Sequence, residues 1–345
     1  MSLSNTSQLL LRNIDLLAAK QALLINPPAD FFTQEYSQHY PNCNIDCFNV
    51  NYAEHLSIAN FNNAHVSCHF SACYQTNIKH DLVIIFFPKS KAEFSFTLTM
   101  INHALAVHAK VLVVGENKSG VKSATKLGLP FFNYCEKVDS ARHCSLFSGE
   151  FNGHLITFSL EDWFKTYQIS LNNITLTIAS LPGVFSQNEL DIGTKLLLNN
   201  LPKKMSGKIL DFGCGAGVIS AYIGKKYNLT ELSLLDINAL ALKSAEKTLA
   251  INDLSGNVFA SDSLTNVTER FQHVVSNPPF HQGLRTHYAS TETFLSGIKK
   301  HIDKHGDITI VANNFLHYQP IMTDNIGKTA TVINKNGFCV YHCQR

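Results

Sequence analysis

Short runs of apolar and β-branched residues recur along the chain, and segments long enough to form helices separate them. Runs that are nearly all apolar are typical of strands that helices bury on both faces. The pattern therefore predicts an α/β protein with a mainly parallel sheet in each half. The predicted strands cover residues 22–25, 81–87, 110–115, 208–213, 232–237, 258–261, 273–276, 307–312 and 337–342.

The stretch between residues 149 and 182 has a different pattern, with alternating polar residues and the only tryptophan, Trp163. We predict that it is a linker that carries a hairpin or edge strands. The two domains are then residues 1–165 and 166–345. At roughly 150 residues per domain, each is long enough to bury its own core. Two α/β halves of similar length are also what an old duplication would leave.

Composition narrows the class of protein. Of the 345 residues, 45% are apolar and 16% are charged, which is typical of a globular chain and not of a disordered one. The net charge of +2 excludes a histone-like nucleic-acid binder but not a local basic face. No apolar run approaches about 18 residues, and the N-terminus lacks a signal pattern. Because nine scattered cysteines favour a reducing compartment, we expect a cytoplasmic protein without membrane association.

A glycine-rich turn follows the predicted strand 208–213 and precedes a predicted helix. Gly213, Gly215 and Gly217 let the backbone approach a ligand closely, and the helix after them directs its first amide groups at that ligand. Asp236 ends the next strand, where a carboxylate can accept hydrogen bonds from both hydroxyls of a ribose. These features predict a cofactor that contains a nucleoside. The alternative interpretation is a tight turn that binds no ligand.

The spacing of the glycines distinguishes two classes of such cofactor. Dinucleotide sites have the pattern G-x-G-x-x-G, whereas this chain has G-x-G-x-G. Asp211, two residues before the first glycine, would repel a pyrophosphate but could lie near the ammonium of a methionine moiety. We therefore predict S-adenosylmethionine. Asp262, at the end of the third strand, is predicted to accept a hydrogen bond from the adenine amino group, to cap a helix, or to do both.

A stiff loop, Asn277-Pro278-Pro279-Phe280, follows the predicted strand 273–276. Its prolines fix φ and remove backbone donors, which leaves carbonyl groups as acceptors. The nitrogen of an exocyclic amine is a poor nucleophile, because its lone pair is delocalised into the ring. If the Asn277 side-chain oxygen and the Pro278 carbonyl each accept an N–H bond, this nitrogen is drawn toward tetrahedral geometry. Phe280 would supply a face on which a base stacks, so the loop predicts chemistry on a planar amine.

A rigid turn that covers a sheet edge is the alternative interpretation of such a loop. A second Asn-Pro-Pro sequence, starting at Asn26, has neither the aromatic residue nor a preceding glycine loop, and we interpret it as such a turn. Asn277 differs because it lies three strands after the glycine loop, at the carboxyl ends of strands where open α/β sheets bind ligands.

Other motifs point to no further chemistry. The chain has no G-x-S-x-G sequence and no Walker loop, which removes the usual hydrolase and nucleoside triphosphatase interpretations. Its cysteine pairs lack the C-x2-C spacing of common zinc sites, so no metal is expected.

Lys118, Lys122 and Lys126 are spaced at i, i+4 and i+8, which predicts one face of a single helix. Such a face is either solvated only or contacts the phosphate groups of RNA, and the spacing leaves both interpretations open. Lys89 and Arg142 are candidates for the same surface.

With both motifs present, the chain resembles the class I S-adenosylmethionine-dependent methyltransferases that act on an exocyclic amine. The segment 182–198, which contains Pro-Gly-Val-Phe-Ser, is similar to the segment before the glycine loop in the RsmC-type guanine methyltransferases of bacterial ribosomal RNA. Segments 87–89, 114–121 and 137–142 are similar to the N-terminal domain of that family. The resemblance therefore extends over nearly the whole chain.

The resemblance implies an α/β fold of two Rossmann-like methyltransferase domains in tandem, of which the N-terminal one is degenerate, binds no cofactor and positions RNA. It implies methylation of the 2-amino group of a guanine in 16S ribosomal RNA of the small ribosomal subunit, by a protein that we expect to be a monomer. The residues that it assigns to the cofactor are Asp211, Gly213, Gly215, Gly217, Asp236 and Asp262. Those that it assigns to the amine are Asn277, Pro278, Pro279 and Phe280.

Two other functions remain as alternatives. Methyltransferases for adenine or for protein glutamine also use Asn-Pro-Pro-aromatic loops, but they more often carry Tyr where this chain has Phe280. A non-catalytic RNA-binding or subunit assembly protein with a retained fold would be expected to lose the glycine loop or Asn277, and this sequence keeps both.

Overall fold

The computed structural model describes residues 2–61, 63–278, 285–316 and 318–345, without the side chains of residues 285–290. It divides into two compact units, Met1–Trp163 and Phe164–Arg345. The division falls just before Lys165, the last residue of the predicted N-terminal domain.

The first unit is built on a seven-stranded sheet with the strand order β3-β2-β1-β4-β5-β7-β6. The first five strands along the chain are parallel, and β7 is antiparallel to both of its neighbours. The strands are β1 (Gln21–Ile25), β2 (Asn44–Asn49), β3 (Val66–Phe70), β4 (His80–Phe86), β5 (Leu105–Glu116), β6 (Phe132–Ala141) and β7 (Cys144–Phe151). The helices are α1 (Asn5–Arg12), α2 (Phe32–His39), α3 (Tyr52–Ala59), α4 (Lys91–Ile101) and α5 (Ala124–Leu127).

The second unit begins with a hairpin of β8 (Lys165–Leu171) and β9 (Ile174–Ser180) and continues into a second seven-stranded sheet, ordered β12-β11-β10-β13-β14-β16-β15. Its strands are β10 (Ile209–Phe212), β11 (Leu232–Asp236), β12 (Asn257–Ala260), β13 (Phe271–Ser276), β14 (Ile302–Asn313), β15 (Thr329–Lys335) and β16 (Phe338–Gln344). Its helices are α6 (Ile192–Asn199), α7 (Val218–Tyr227), α8 (Ala239–Ile251), α9 (Arg285–Gly297) and α10 (Tyr318–Asn325).

The two large sheets share their register as well as their strand order. Ile25 pairs with Ile85 in the first sheet, and Phe212 pairs with Ser276 at the corresponding place in the second. Both sheets also have a register shift at the start of the fourth strand, after His80 in one and after Phe271 in the other. A duplication predicts such a register shift at the same position in both sheets. The shared register also allows the two sheets to be aligned residue by residue.

The hairpin predicted as a linker is part of the second unit, where it packs on α8. The amide groups of Thr177, Ala179 and Leu181 donate to side chains of Asn252, Thr248 and Ser244, each at 3.0 Å. Ser244 and Thr248 lie in α8 and Asn252 is its C-cap, so these three acceptors, spaced four residues apart, line one face of the helix. They replace the neighbouring strand that β9 lacks on that side, so its backbone donors are satisfied without extending a sheet.

Five strands, β2, β3, β6, β7 and β15, were not among the predicted ones. Three of them, β3, β6 and β15, are edge strands with many exposed residues. Because an edge strand is covered on few sides, its sequence is not uniformly apolar and the pattern used for prediction is weak there. In the residues that the structure describes, no helix combines the length and apolar character needed to cross a bilayer.

Candidate active site

The glycine loop and the Asn277 loop start side by side, because β10 and β13 are neighbouring parallel strands. Phe212, the last residue of β10, is the register partner of Ser276, the last residue of β13. The Ser276 hydroxyl donates to the Phe212 carbonyl oxygen at 2.7 Å and is fully buried. The sheet therefore brings the two predicted motifs to one point on its carboxyl edge.

The glycine loop has the backbone that only glycine adopts without strain. Gly213, Gly215 and Gly217 have φ values of 70°, 53° and 76°. A Cβ on Gly217 would lie 3.0 Å from the Ala245 Cα, so this glycine allows α7 and α8 to approach closely. A Cβ on Gly215 would meet no atom within 4 Å. The second glycine therefore borders open space, where a ligand can lie against the backbone.

Asp236 connects the end of β11 to the loop. Its carboxylate accepts the Gly215 amide at 3.0 Å and the Asn238 amide at 2.9 Å, one on each oxygen. Burial raises the pKa of Asp236, and these amide groups oppose that effect. Because a carboxylate oxygen can accept more than one hydrogen bond, Asp236 keeps acceptor capacity for the hydroxyls of a ribose.

Asp211 lies beneath the loop and is fully buried. Its Oδ2 accepts the Ser220 amide at 3.1 Å and the Ser220 hydroxyl at 2.8 Å, while its Oδ1 is buried without a partner among the described residues. Burial raises the pKa of Asp211 to about 7. A buried carboxylate oxygen that lacks a donor is suited to an ammonium group, as predicted for a methionine moiety.

Asp262 follows β12 but caps no α-helix, so that alternative interpretation was wrong. Its backbone carbonyl accepts the Thr265 amide at 3.2 Å in a turn, and the next α-helix, α9, starts at Arg285. The described residues supply no donor to its partly buried carboxylate, which leaves it available to an adenine amino group.

Asn277 is held through the nitrogen of its side-chain amide. Nδ2 donates to Asp191 Oδ2 at 3.1 Å and to Thr194 Oγ1 at 2.8 Å. No described residue donates to its Oδ1, which is the atom predicted to accept an N–H bond from the amine. Pro278 is buried. The predicted residues Pro279 and Phe280 lie outside the described residues.

Asp191 and Thr194 are the partners that sequence reasoning missed. Asp191 is the N-cap of α6 and accepts the Thr194 amide at 2.8 Å. The sequence carries a local signal for this cap, since an Asp three residues before Thr and one before the apolar start of α6 is a typical helix beginning. It carries no signal for the contact with Asn277, which is more than 80 residues away.

The three lysines predicted on one helix lie in a broken segment instead, so that prediction was wrong. Gly120 has a φ of 87° and separates two 3-10 turns, Asn117–Ser119 and Val121–Ser123, which precede the short helix α5. Lys118, Lys122 and Lys126 are nevertheless all exposed. Lys118 also forms an ion pair with Glu116 at 3.0 Å, which partly neutralises it.

Three of the predicted RNA-binding residues lie at the end of the first sheet where its parallel strands have their carboxyl ends. Lys89 follows β4 and Lys118 follows β5, while Arg142 lies in the turn between β6 and β7. Cys144, just after that turn, pairs with Glu116 at the end of β5. All three positively charged side chains are exposed at the carboxyl edge of the sheet.

The first unit lacks the cofactor residues at the aligned positions. The register places Asn26, Pro27 and Pro28 where the second unit has Gly213, Cys214 and Gly215. In the same alignment, the residues that replace Asp211, Asp236 and Asn277 are Leu24, Asn49 and Phe86. The second Asn-Pro-Pro sequence therefore occupies the place of the glycine loop and not the place of the amine loop.

The described part of the chain contains no group of three or more His, Cys, Asp or Glu residues placed to hold a metal ion. All nine cysteines are free thiols.

A glycine loop after the first strand of the sheet, an acidic residue at the end of the second and an Asn-Pro loop after the fourth together define a class I methyltransferase domain. The Methyltransferase small domain family matches residues 175–342, and the Methyltransferase small domain N-terminal family matches residues 7–167. The chain thus consists of a methyltransferase domain that carries the glycine loop and Asn277, preceded by a second domain with the same sheet topology.

Full-length relatives define the family further. The chain is 56% identical, over 351 residues, to the ribosomal RNA small subunit methyltransferase C of Colwellia psychrerythraea, covering all of this chain and 98% of that protein. It is 40% identical to the protein of the same name from Aliivibrio fischeri strain ES114, over the full length of both. This chain belongs to the ribosomal RNA small subunit methyltransferase C family.

A solved structure has the same fold. The 16S rRNA N2 G1207 methyltransferase RsmC of T. thermophilus, in complex with AdoMet and guanosine, superposes with a TM-score of 0.83 at 20% identity, over 96% of this chain and 91% of that one. The similarity extends over both units, which agrees with the predicted tandem α/β architecture.

Proposed function

We propose that this chain transfers a methyl group from S-adenosylmethionine to the 2-amino group of a guanine in 16S ribosomal RNA. The proposal is supported by the family, whose members are named for ribosomal RNA of the small subunit, and by the RsmC complex with AdoMet and guanosine. The observation that carries it is the position of Asn277, whose amide oxygen accepts from none of the described residues and lies at the same sheet edge as the glycine loop.

Five residues described above fit the cofactor. Gly215 leaves open space against the backbone, and Asp236 accepts from the ribose hydroxyls. Asp262 accepts from the adenine amino group, the buried carboxylate of Asp211 attracts the ammonium group, and Gly217 keeps the loop close to α8. Bound there, S-adenosylmethionine supplies an activated methyl group on a positively charged sulfur.

The Asn277 loop activates the acceptor amine. Asn277 Oδ1 and the Pro278 carbonyl accept the two N–H bonds of the guanine 2-amino group and turn its lone pair toward the methyl carbon. A carbon–nitrogen bond forms as the carbon–sulfur bond breaks, and the electron pair of that bond stays on sulfur. The nitrogen gains a positive charge and then releases one proton to solvent. The two acceptors stabilise the charge that develops on the nitrogen, and no strong general base is needed.

The first unit positions the RNA in this proposal. Its sheet lacks the glycine loop and the acidic residues, but its carboxyl edge exposes Lys89, Lys118 and Arg142 together with Lys122 and Lys126 nearby along the chain. Phosphate groups of RNA are the natural partners of such an edge. We further propose that the protein acts in the cytoplasm as a monomer that needs no metal.

The test is incubation of the protein with labelled S-adenosylmethionine and, separately, small subunits, large subunits and naked 16S ribosomal RNA. Mass analysis of the nucleosides should find N2-methylguanosine from the small subunit or its RNA only. Asn277→Ala should give far less of it in the same time. Titration calorimetry should show one cofactor site per chain.

Each alternative predicts a different product. Methylated adenosine would assign the protein to adenine, and label in a ribosomal or release-factor protein would assign it to glutamine. Tight binding to small subunits without any methylated product would favour a non-catalytic assembly factor. Two cofactor sites per chain would contradict the proposed role of the first unit.

A further inference from the structure

Asn277 can act as an acceptor only if its amide is fixed in one of two orientations. A side-chain amide has an oxygen and an NH2 group of nearly the same shape, so the hydrogen-bond partners decide which of them faces the substrate. With the NH2 group outward, Asn277 would present donors to an amine and could not accept its N–H bond, which would leave the Pro278 carbonyl as the remaining acceptor.

Asp191 and Thr194 remove this ambiguity. A carboxylate oxygen only accepts, so Asp191 Oδ2 at 3.1 Å requires a donor from Asn277. The Thr194 hydroxyl donates to the same Asp191 oxygen at 3.3 Å and therefore accepts from Asn277 at 2.8 Å. Both partners require the NH2 group, which turns the amide oxygen away from them.

The pair is itself rigid. Asp191 Oδ2 also accepts the Thr194 amide as the N-cap of α6, and the Thr194 residue is buried. A Cβ on Gly193 would lie 3.0 Å from the Phe338 ring and 3.1 Å from Asp191 Oδ2. Gly193 therefore lets the start of α6 lie close to Phe338 while the carboxylate stays in place.

The first unit shows that helix capping alone does not require the acid. Ser4 precedes Ile25 by as many residues as Asp191 precedes Phe212, and it caps α1 by accepting the Ser7 amide as Asp191 accepts the Thr194 amide. A serine thus meets the need for a cap where Phe86 stands in place of Asn277. The second unit therefore has both the carboxylate cap and Asn277, whereas the first unit has neither at the aligned positions.

We propose that Asp191 and Thr194 are positioning residues that hold Asn277 with its oxygen toward the substrate amine, and that the charge of Asp191 strengthens this acceptor. An amide whose NH2 group donates to an anion carries more negative charge on its oxygen. The attacked amine becomes positive during transfer, so the gain is larger in the transition state than in the bound substrate. This inference rests on the proposed function.

The charge of Asp191 also acts on Tyr167. The hydroxyl of Tyr167 is buried without a partner among the described residues. Burial, together with the charges of Asp191 and Glu189, raises the pKa of Tyr167 to about 12.

The test compares Asp191→Ser with Ser4→Ala in single-turnover methylation of small subunits. Asp191→Ser keeps a cap and removes the charge, and we expect its transfer rate to fall by about tenfold or more, with cofactor affinity and melting temperature unchanged. Ser4→Ala removes a cap at the aligned place in the first unit and should lower the melting temperature without changing the rate. Thr194→Val should lower the rate, and Thr194→Ser should restore it.

A second measurement does not depend on methylation. The side-chain NH2 protons of Asn277, assigned by their loss in Asn277→Ala, should exchange slowly with solvent and faster in Thr194→Val. A wild-type rate in Asp191→Ser, or a fall in cofactor affinity equal to the fall in rate, would overturn the inference. If the wild-type protein makes no N2-methylguanosine, the proposed function fails, and fast exchange of these protons would then reject the positioning as well.

Discussion

Phe212 and Ser276 are paired in register at the ends of two neighbouring parallel strands, and the Ser276 hydroxyl donates to the Phe212 carbonyl at 2.7 Å. The residue after Phe212 starts the glycine loop, and the residue after Ser276 is Asn277. The pairing of these two strand ends therefore fixes the distance between the glycine loop and Asn277. A change at either end acts on both motifs, which makes separate tests of each necessary.

Replacement of Asn277 by Ala should lower the transfer rate by about 100-fold or more, because the amine loses an acceptor that acts in the transition state. Cofactor affinity should stay within a few-fold of the wild-type value, since the glycine loop is unchanged. Rates from single turnover and affinities from calorimetry separate the two effects.

Asn26→Gly is the control for this experiment. Asn26 belongs to the other Asn-Pro-Pro sequence, has a φ of 53° and accepts the Val50 amide at 3.1 Å. Glycine adopts that backbone freely, so only the contact with Val50 is lost. We expect some loss of stability and no loss of rate. Retained turnover in Asn277→Ala would remove Asn277 from the mechanism.

The second and third glycines should respond differently to the same substitution. Gly215→Ala places a methyl group in open space, so it should weaken cofactor binding by about tenfold, with about 1 kcal/mol of backbone strain. Gly217→Ala pushes against the backbone of Ala245 and should cost about 1–3 kcal/mol of unfolding free energy. Urea unfolding without cofactor and calorimetry with cofactor measure the two quantities. Equal effects on stability would contradict the distinction.

Asp211 should make cofactor binding depend on pH. Its pKa is raised to about 7, so at pH 6 it is mostly protonated and at pH 8 mostly ionised. Because the ionised form attracts an ammonium group, affinity should rise by about tenfold between these values and level off above them. Calorimetry at several pH values gives the curve, and Asp211→Asn should flatten it.

The raised pKa of Asp211 has the opposite effect on the stability of the cofactor-free protein, which should fall as pH rises. A carboxyl group whose pKa is raised on folding favours the folded state at low pH, and this contribution is lost as pH rises from about 4 to about 7. Asp211→Asn should remove that loss. Glu93→Gln is a matched control, because burial also raises the pKa of Glu93 to about 7. It should change the stability curve in the same way and leave cofactor binding unaffected.

Changing Lys118, Lys122 and Lys126 to Ala together should weaken binding to small subunits and reduce its salt dependence by about two units of slope, if these lysines contact phosphate groups. Lys20, Lys79 and Lys137, exposed elsewhere on the first unit, are the control set of equal charge. The affinity of each triple variant for small subunits, measured at several salt concentrations from low to moderate, gives the slope that distinguishes the two sets. Equal slopes for the two triple variants would show that the lysines are only solvated.

The sequence was most informative where one segment carries its own physical signal. The strands that end at Phe212 and Ser276 are mostly buried and contain short apolar runs, and the glycine loop needs a positive φ at each glycine. The contact of Asp191 with Asn277 could not be predicted, because it depends on how α6 packs beside β13 and not on either segment alone. The lysine spacing misled because Gly120 ends the turn that the spacing assumed.

The attachment of β9 to α8 determines where the chain can be cut. A catalytic fragment that starts at Pro182, after the hairpin, would leave Ser244, Thr248 and Asn252 on α8 without the backbone groups that they bind. A fragment that starts at Phe164 retains the whole hairpin and these bonds. Expression trials of the second unit should therefore begin upstream of β8, even though the glycine loop follows only after β10, which starts at Ile209.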